Sequence, residues 1–463
     1  MQIQSFISGV SQKSSSSFKK RNPFTSQPLH EVHSCDIMQV VQAIQGAQKA
    51  FSEWKNSSTT DRILLLGRIK EILIDKKNKF SELEALDQGL SLSFVSDHGI
   101  GGSIQSIENA ISELSQHQTT ESLSHSSTGV ISLITSWNLS LRIIFERLAP
   151  ALAAGNAILI KVSSHSPITA VILEEIIVAA KIPEGLIQIL ISQDSGVKEL
   201  LITHPAIKAV SFVGNLKNSA DILKKISQVG FNQFKKIQIS SGSKNSAVAL
   251  NEPDEEQFLK IMNSFLLGQG QLAWNSNRLF ILEKFEDQWV KRIMNFFAGL
   301  QPAKDIYDSS SWTPCLRPES FVNFTEIENL AKKDQARLIQ PNWALSENQK
   351  ACFLKPTFTQ DMSNCSTLQQ DQVSAPLFIL SVVKYPFDIA KYSNVSYYGQ
   401  AAHIWSEESK ILKIAEQLEV SLVCKNKWSV EVHEPLQGVK QSAFGLQDYQ
   451  AFGAFFSNAK KLT

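Results

Sequence analysis

The feature that most constrains the fold is a regular alternation of strand-length apolar segments and helix-length segments between residues 129 and 241. Short apolar strands separated by helices predict parallel strands joined by crossover helices. Such a doubly wound α/β sheet binds ligands at the carboxyl ends of its strands. Strands are predicted at residues 129–135, 157–161, 186–190, 209–213 and 236–241, and helices at 139–154, 167–180, 197–202 and 217–228.

The flanking regions carry simpler patterns. Residues 3–35 predict short strands broken by Ser-rich and Pro-containing turns, and the polar residues 116–127 predict an exposed connection or an edge strand. Residues 301–318, rich in Ser, Pro and Asp, predict a surface loop. Further helices are predicted at 37–54, 60–76, 81–90, 102–115 and 255–267, and further strands of a second α/β region at 278–282, 378–383, 401–405 and 421–425.

Composition excludes several classes of function. A chain of 463 residues is long enough for two or three domains, and its net charge of +1 gives no reason to expect nucleic acid or an anionic membrane. No run of about 18 apolar residues predicts a transmembrane helix, and the N-terminus lacks the pattern of a signal peptide. The five cysteines form no Cys-x-x-Cys pair and no cluster with histidines, so free thiols in a cytoplasmic protein without a metal site are expected.

Residues 265–278, FLLGQGQLAWNSNR, place an apolar helical end before a turn rich in Gly and Gln. The segment resembles the nucleophile loop of the aldehyde dehydrogenase superfamily. Other segments resemble motifs of that family in the same order. They are residues 22–25 (NPFT), 86–89 (LDQG), 136–138 (SWN), 148–156 (LAPALAAGN), 161–167 (KVSSHSP), 212–215 (FVGN), 356–358 (PTF), 398–402 (YGQAA) and 435–442 (PLQGVKQS).

The resemblance implies an α/β fold of the aldehyde dehydrogenase type. A Rossmann-type nucleotide-binding domain would comprise residues 1–111 and 128–241, with a return of the chain at 426–451. A catalytic-type domain would comprise 242–425, and a bridging oligomerisation arm 112–127 and 452–463. The apolar tail around Phe452, Phe455 and Phe456 is too hydrophobic for a free terminus, so we expect its burial against another subunit of a homodimer or tetramer.

The implied catalytic positions are Asn138, Ser240 and Ala273. Aldehyde oxidation in the family needs a cysteine thiolate, a glutamate that activates water, and an oxyanion hole. Ala273 stands at the cysteine position and Ser240 at the glutamate position, so both groups are missing. Asn138 stands at the oxyanion position, although an Asn after a strand often satisfies local backbone groups only. Ser276 would need an activating base that the sequence does not identify.

The implied cofactor positions have also changed. Ser136 and Trp137 precede the oxyanion Asn, and Lys161 matches a lysine that contacts the adenosine ribose. Ser164 replaces the acidic ribose partner. A small residue there either admits the phosphate of NADP beside Lys161 or reflects simple loss of the site.

Three further positions belong to the implied cofactor site. Gly214 and Asn215 face the pyrophosphate, where a helix N-terminus favours an anion. Gln372 replaces a glutamate that holds the nicotinamide ribose, and an amide bonds a hydroxyl more weakly than a carboxylate does. Binding of NAD or NADP is therefore possible but weakened. Trp274 either fills the tunnel beside Ala273 or packs in the core.

Two functions follow from the resemblance. The first is a non-catalytic binding, scaffolding or regulatory protein, alone or paired with an active paralogue. The second is an NAD(P)-dependent oxidoreductase with a rearranged active site. Combined loss of the nucleophile, the base and a cofactor carboxylate favours the first.

Overall fold

The computed structural model describes residues 1–116, 123–230, 234–252, 254–308, 312–315, 319–342, 344–432, 435 and 437–461. Parts of several predicted features lie outside the described residues. They are 117–122 of the predicted connection and arm, 309–311 and 316–318 of the predicted loop, 436 of the last motif, and 462–463 of the arm.

The N-terminal half of the chain alternates strands and helices as the pattern predicts. Its strands are β1 (Gln2–Ile3), β2 (Ser5–Ile7), β3 (Val10–Gln12), β4 (Ser17–Arg21), β5 (Pro28–His33), β6 (Leu123–Ser127), β7 (Val130–Ile134), β8 (Ala157–Lys161), β9 (Ile187–Leu190), β10 (Ile207–Val213) and β11 (Lys236–Ser240). Its helices are α1 (Ile37–Trp54), α2 (Thr59–Asp75), α3 (Lys77–Gln88), α4 (Leu92–Phe94) with the π-helical turn Val95–Ile100, α5 (Gly101–Gln116), α6 (Ser140–Ala153), α7 (Ile168–Ala179), α8 (Ser195–Thr203) and α9 (Leu216–Gln228).

The C-terminal half contains the second α/β region. Its strands are β12 (Asn245–Ala249), β13 (Ser276–Leu282), β14 (Arg337–Ile339), β15 (Thr357–Gln360), β16 (Leu377–Val383), β17 (Tyr398–Gly399), β18 (Ala401–Trp405), β19 (Leu422–Lys425), β20 (Val439–Lys440), β21 (Ala443–Gly445) and β22 (Ser457–Lys461). Its helices are α10 (Glu255–Leu266), α11 (Glu286–Gly299), α12 (Glu319–Lys333), α13 (Glu347–Lys350), α14 (Thr367–Gln370), α15 (Asp388–Ser393) and α16 (Glu408–Ala415). Two of these strands pair with the N-terminal half, since β21 joins the first sheet and β22 pairs with β6.

Two large sheets organise these elements. The first has the order β21-β11-β10-β7-β8-β9-β2-β3, and its five central strands, β11 to β9, are parallel. The second has the order β14-β15-β16-β13-β12-β18-β19 and is parallel except at β14. The predicted α/β fold with a doubly wound first sheet is confirmed. β7 is buried at every residue, as expected for a strand covered by helices on both faces.

Helix α6 runs through the interior, and all its residues are buried. Most of them are apolar, but Arg142, Glu146 and Arg147 are buried among them. A charge inside a protein requires a partner, because transfer of an unpaired ion from water is costly. These three side chains therefore have to satisfy one another, or a ligand.

Side chains at the end of α3, two of them in the motif at residues 86–89, bind the first N–H groups of two helices. The Asp87 carboxylate accepts from the backbone N–H of Ile168, at the first residue of α7, at 3.0 Å. Gln88 and Glu84 accept from the N–H groups of Leu139 and Leu141 at the start of α6, at 2.8 and 2.9 Å. The first N–H groups of a helix have no partner within the helix, so these side chains fix where α6 and α7 begin.

The C-terminal tail corrects one expectation. Phe455 and Phe456 are fully buried, and both belong to the hydrophobic core of the first sheet of the same chain. β22 also pairs antiparallel with β6. The prediction that the tail is buried against another subunit was therefore wrong for these two residues, because they are buried in the core of their own chain.

Candidate functional site

A cleft of about 270 Å³ lies at the carboxyl ends of the central strands of the first sheet. β7, β8, β10 and β11 end next to it, at Ile134, Lys161, Val213 and Ser240. The opposite wall comes from the second region, through the loop after α10 and residues 372–374. The cleft thus lies where a parallel α/β sheet is expected to bind a ligand.

The structure brings every site residue predicted from the sequence to this one cleft. Those that line it are Ser136, Trp137, Asn138, Lys161, Ser164, Gly214, Asn215, Ser240, Ala273 and Gln372. Their convergence is a property of the fold, whereas the role of each residue remains a prediction.

Asn138 is buried and connects the first sheet to the loop that carries Ala273. Its Oδ1 accepts from the Ser136 hydroxyl at 2.8 Å, and its Nδ2 donates to the Gln271 carbonyl at 3.3 Å. Leu139 follows in the left-handed region with a φ of 46°. A Leu in this conformation is strained, and the Gln88 bond to its N–H helps to hold it there.

The loop around Ala273 is held by buried hydrogen bonds. The Ala273 carbonyl accepts from Ser243 Oγ at 2.9 Å and from Asn245 Nδ2 at 3.0 Å. The Leu272 N–H donates to Asn275 Oδ1 at 2.7 Å. Gly268, Gln269 and Gly270 have φ values of 63°, 52° and 68°, which confirms the predicted tight turn. The loop therefore presents a methyl group to the cleft in a fixed position.

Ser240 faces a cation. Its Oγ lies 3.4 Å from Nη2 of Arg147 and 3.4 Å from the Tyr449 hydroxyl, and the same Nη2 donates to Tyr449 at 3.2 Å. Arg147 is only 2% exposed, so its guanidinium lies inside the protein beside the cleft. An arginine side chain does not lose its proton, so it cannot serve as a general base here.

Arg147 belongs to a buried triad with Arg142 and Glu146. The Glu146 carboxylate accepts from Arg142 Nε at 3.0 Å and lies 3.4 Å from Arg147 Nη1. Two guanidinium groups share one carboxylate, so the triad carries a formal charge of +1. The contact between Arg147 and Glu146 is longer than the usual 2.7–2.9 Å of a charge-assisted bond. Arg147 also donates from Nη1 to the Ile143 carbonyl at 2.9 Å and from Nε to the Ser211 hydroxyl at 3.2 Å.

Trp274 is packed in the core rather than open to a ligand. Its side chain is fully buried, and the Arg142 guanidinium lies 4.8 Å from its ring centre. Trp428 donates from Nε1 to the Trp274 carbonyl at 2.6 Å and stacks on Phe94 with ring centres 5.7 Å apart. These aromatic side chains form a cluster that packs against Ala273. Protein thus covers one side of Ala273, which also lines the cleft.

Lys161 provides a second positive charge in the cleft. Burial, together with the neighbouring charge of Lys198, lowers the pKa of its amine to about 8. Ser164 lies on the loop after β8, which is held where Lys20 donates to the His165 carbonyl at 2.5 Å. Glu146 is the only acidic residue among the described residues that line the cleft, while Arg147, Lys161, Lys198 and His165 are basic.

The start of α9 forms another part of the wall. The N–H of Gly214 donates to the Ser240 carbonyl at 3.0 Å, and the Asn215 side chain caps the helix by accepting from the Asn218 N–H at 2.9 Å. A helix N-terminus carries a partial positive charge that favours an anion. On the opposite wall, the Gln372 side chain packs so closely on Gly242 that a Cβ there would lie 2.2 Å from Oε1.

Arg142, Glu146 and Arg147 were not identified from the sequence as site residues. The sequence feature that could have identified them is three charged residues within the segment 139–154, whose other residues predict a buried apolar helix. Across the described residues, no group of three His, Cys, Asp or Glu side chains is arranged to hold a metal ion. No helix in the described ranges combines the length and the apolar character needed to cross a bilayer.

Comparisons with known proteins agree on one family. The model of the "Aldehyde dehydrogenase family" matches residues 10–462. The 2-aminomuconic semialdehyde dehydrogenases of Mus musculus and Homo sapiens are 24% and 25% identical to the chain, and each alignment covers 100% of the chain and 98% of the relative.

Solved structures of similar fold include two complexes with NAD+. An aldehyde dehydrogenase from Bacillus cereus in complex with NAD+ is 20% identical, with a TM-score of 0.91 and coverage of 100% of this chain and 96% of that one. A cysteine-to-alanine mutant of the P. syringae indole-3-acetaldehyde dehydrogenase AldA, in complex with NAD+ and IAA, is 20% identical. Its TM-score is 0.89, with coverage of 100% and 97%.

Proposed function

The chain belongs to the aldehyde dehydrogenase family, and we propose that it is a non-catalytic member that binds a ligand in its cleft without oxidising it. The family's chemistry is the NAD(P)-dependent oxidation of an aldehyde to a carboxylic acid. That chemistry requires a thiolate to form the hydride-donating adduct and a base to activate water.

One observation carries the proposal: Ala273 and Ser240, which the resemblance assigns to the nucleophile and base positions, line the same cleft, with Ser240 beside the Arg147 guanidinium. A methyl group cannot attack a carbonyl carbon. The Ser240 hydroxyl lies next to a permanently protonated guanidinium, which cannot take its proton. Both steps of the reaction therefore lack the group that performs them.

The packing beside Ala273 supports the same conclusion. Trp274 is fully buried, and its cluster with Phe94 and Trp428 packs against Ala273, so we expect it to restrict the space for an aldehyde next to the loop. The cluster is tied together by the bond from Trp428 Nε1 to the Trp274 carbonyl. Moving this cluster would expose a large apolar surface, so we expect it to stay in place.

We infer that the ligand includes a nucleotide of the NAD or NADP type, held more weakly than in catalytic relatives. Lys161 and the N-terminus of α9 provide positive charge for its phosphates. Complexes of two structural neighbours with NAD+ support this inference, one of them with a cysteine-to-alanine mutant. Ser164 offers no carboxylate to repel the additional phosphate of NADP, so we propose that either nucleotide binds.

The biological role we propose is that of a binding, scaffolding or regulatory protein. The arm formed by β6 and β22 is the segment through which a homodimer, a tetramer or a pair with an active paralogue would form. The cysteines that the structure describes are all free thiols, which supports placement in the reducing cytoplasm.

The alternative is an active NAD(P)-dependent oxidoreductase with a rearranged site. It is favoured by the arrangement of Asn138, Lys161 and Gly214 around one cleft. It needs a new nucleophile, and Cys315 is the thiol bonded to the loop, through Sγ to Gln271 Oε1 at 3.4 Å. Cys315 does not line the cleft in the part of the chain that the structure describes, which argues against this alternative.

Two measurements on the intact protein test the proposal. Titration with NAD+ and with NADP+ is expected to raise the Tm, because a ligand bound by the native state stabilises it. No shift at millimolar concentration of either would contradict the proposed nucleotide. Incubation with aldehydes and either nucleotide is expected to give no NAD(P)H, and sustained production would contradict the non-catalytic assignment.

A further inference from the structure

The second sheet has a point at which the connections from two neighbouring strands leave in opposite directions. β12 and β18 are parallel neighbours, and the chain leaves β12 through α10 towards β13 on one side and β18 through α16 towards β19 on the other. α10 packs in the core with Ala249 and Trp405. α16 packs on the other face of the sheet, with Val248 and Ile404. A parallel sheet forms a ligand-binding crevice at such a point, outside the carboxyl ends of the two strands.

A cavity of about 210 Å³ lies in this crevice. Its lining comes from the carboxyl ends of both strands, the loops that follow them and the first turn of α10: Ala249, Asn251, Gln257, Trp405, Ser406 and Glu407. None of these six residues lines the cleft of the first sheet, whose wall includes Gly242 and Gln400 ahead of β12 and β18. The two strands therefore extend from the cleft at their amino ends to this cavity at their carboxyl ends.

Trp405 brings an unused hydrogen-bond donor to the lining of the cavity. The residue is 2% exposed, and its indole Nε1 is buried without an acceptor among the described residues. The Ser406 hydroxyl oxygen, also in the lining, is buried and has no partner in the same part of the chain. A buried donor without an acceptor destabilises a fold, and a ligand that supplies the acceptor removes that cost.

The charges around the cavity restrict the class of ligand. Among the described residues in its lining, none is basic and Glu407 is the one acid. Asp254 and Glu255 add negative charge at the start of α10, so an anion is disfavoured. An ammonium group only donates hydrogen bonds, so it would leave the Trp405 N–H without an acceptor. A hydroxyl group can both accept from an indole N–H and donate to a carboxylate.

We propose that this cavity binds a small uncharged polyol, a sugar or a sugar alcohol, whose hydroxyl groups accept from Trp405 and donate to Glu407. Glu407 pairs with the exposed Lys410 at 3.2 Å, but a carboxylate has further acceptor positions. The amide groups of Asn251 and Gln257 supply both donors and acceptors for neighbouring hydroxyls. The volume limits the ligand to a monosaccharide or a smaller molecule. The site goes beyond the proposed function, because it involves neither the nucleotide nor the cleft.

The binding test observes the indole N–H of Trp405 directly. NMR spectra of the intact protein are recorded with ¹⁵N-labelled tryptophan, and Trp405→Phe identifies the resonance of this residue. Titration with glycerol, erythritol, ribose and glucose is expected to shift this resonance saturably with at least one of them, while ethylammonium and acetate leave it unchanged. A resonance that responds saturably to none of the polyols overturns the proposal, as does an equal response to either charged probe.

Trp289→Phe is the matched control for Trp405→Phe. Trp289 belongs to the same core and also has a buried Nε1 without a partner in the described ranges, but it does not line the cavity. Trp405→Phe keeps an aromatic ring and removes the donor. Its polyol affinity, measured by ligand-observed NMR, is expected to fall about three- to tenfold, as loss of one hydrogen bond implies. Trp289→Phe should bind as the unmodified protein does, and equal affinities of the two variants overturn the proposal.

A second pair of variants tests the carboxylate. Glu407→Gln removes the charged acceptor and is expected to weaken polyol binding about three- to tenfold. Glu347→Gln is its control, because Glu347 pairs with Lys350 three residues later on the surface, as Glu407 does with Lys410, and lies outside the cavity. It should leave polyol binding unchanged. Undiminished binding by Glu407→Gln overturns the proposal.

Discussion

Nη2 of Arg147 lies 3.4 Å from Oγ of Ser240, inside a cleft that both residues line. This contact places a buried cation beside the residue that the resemblance assigns to the position of the basic carboxylate. Together with Ala273, it explains why a well-preserved fold is expected to hold a ligand without oxidising it.

Restoring the two missing groups is predicted not to restore activity. In Ala273→Cys combined with Ser240→Glu, the new carboxylate would pair with Arg147, which lowers its basicity. The aromatic cluster around Trp274 would still pack against residue 273 and restrict access to the new thiol. NAD(P)H production with an aldehyde, followed by absorbance, should stay at background. Labelling of the new thiol by iodoacetamide is the control for its exposure, and clear turnover would show that residues 240 and 273 alone had blocked catalysis.

The buried triad is predicted to depend on its single carboxylate. Glu146→Gln leaves Arg142 and Arg147 without an anion and should destabilise the protein by about 3–5 kcal/mol. Removing Arg147 as well, in Glu146→Gln combined with Arg147→Met, should recover part of that loss because one unpaired charge is gone. Thermal unfolding of the two variants measures the difference. A double variant less stable than Glu146→Gln alone would argue against charge as the cause.

Lys161 is predicted to contribute to nucleotide binding at a cost in stability. Burial lowers the pKa of its amine to about 8 from 10.5, so the folded state releases a proton that the unfolded state keeps between these values. The buried charge therefore lowers the free energy of unfolding most below about pH 8, and this destabilisation decreases as the pH rises towards 10.5. At pH 7, Lys161→Met should raise the Tm of the free protein but reduce the Tm shift produced by NAD+ or NADP+.

The control for this variant is Lys413→Met, which removes an exposed lysine on α16. It should change neither the Tm nor the nucleotide-induced shift. An undiminished shift in Lys161→Met would exclude a role for this amine in nucleotide binding.

Glu84 is predicted to make stability depend on pH. Burial raises the pKa of its carboxyl group to about 7 from 4.5, with the charge of Asp87 acting in the same direction. A raised acid pKa in the folded state contributes stability that is present below about pH 4.5 and is lost as the pH rises through about 7. Glu84→Gln keeps an oxygen that accepts from the Leu141 N–H.

This variant should match the unmodified protein near pH 4.5 and exceed it by about 1–3 kcal/mol at pH 8, because each unit of pKa shift corresponds to about 1.36 kcal/mol. Thermal unfolding across that range measures the effect. A constant difference between the two proteins at all pH values would show that ionisation of Glu84 is not responsible.

The sequence predicted the parallel sheet correctly, because the local pattern of strands and helices matches the fold there. β7, β8 and β10 are short apolar strands separated by helices, and this order predicts a parallel sheet. The convergence of site residues at strand ends follows from the same rule, since Lys161 and Ser240 each end a strand. These features depend on periodicity, which a single sequence contains.

Other features depended on tertiary packing that periodicity does not encode. The Arg147 side chain reaches Ser240 because of the direction in which it points from the buried helix α6. Only the packing of α6 determines that direction. The apolar tail at Phe455 and Phe456 predicted burial correctly but not the surface that buries it. The π-helical turn Val95–Ile100, which directly follows Phe94, has no distinctive pattern in the sequence.

The most direct test of the central claim is a single-turnover measurement with the unmodified protein in stoichiometric amounts. The protein is mixed with saturating NAD+ or NADP+ and an aldehyde, and NAD(P)H is followed from milliseconds to minutes. A protein that lacked only the base would still release one hydride per subunit in a burst, because the thiolate adduct would form. Without a nucleophile at residue 273, the predicted result is no burst and no later production. A burst approaching one NAD(P)H per subunit would contradict the account.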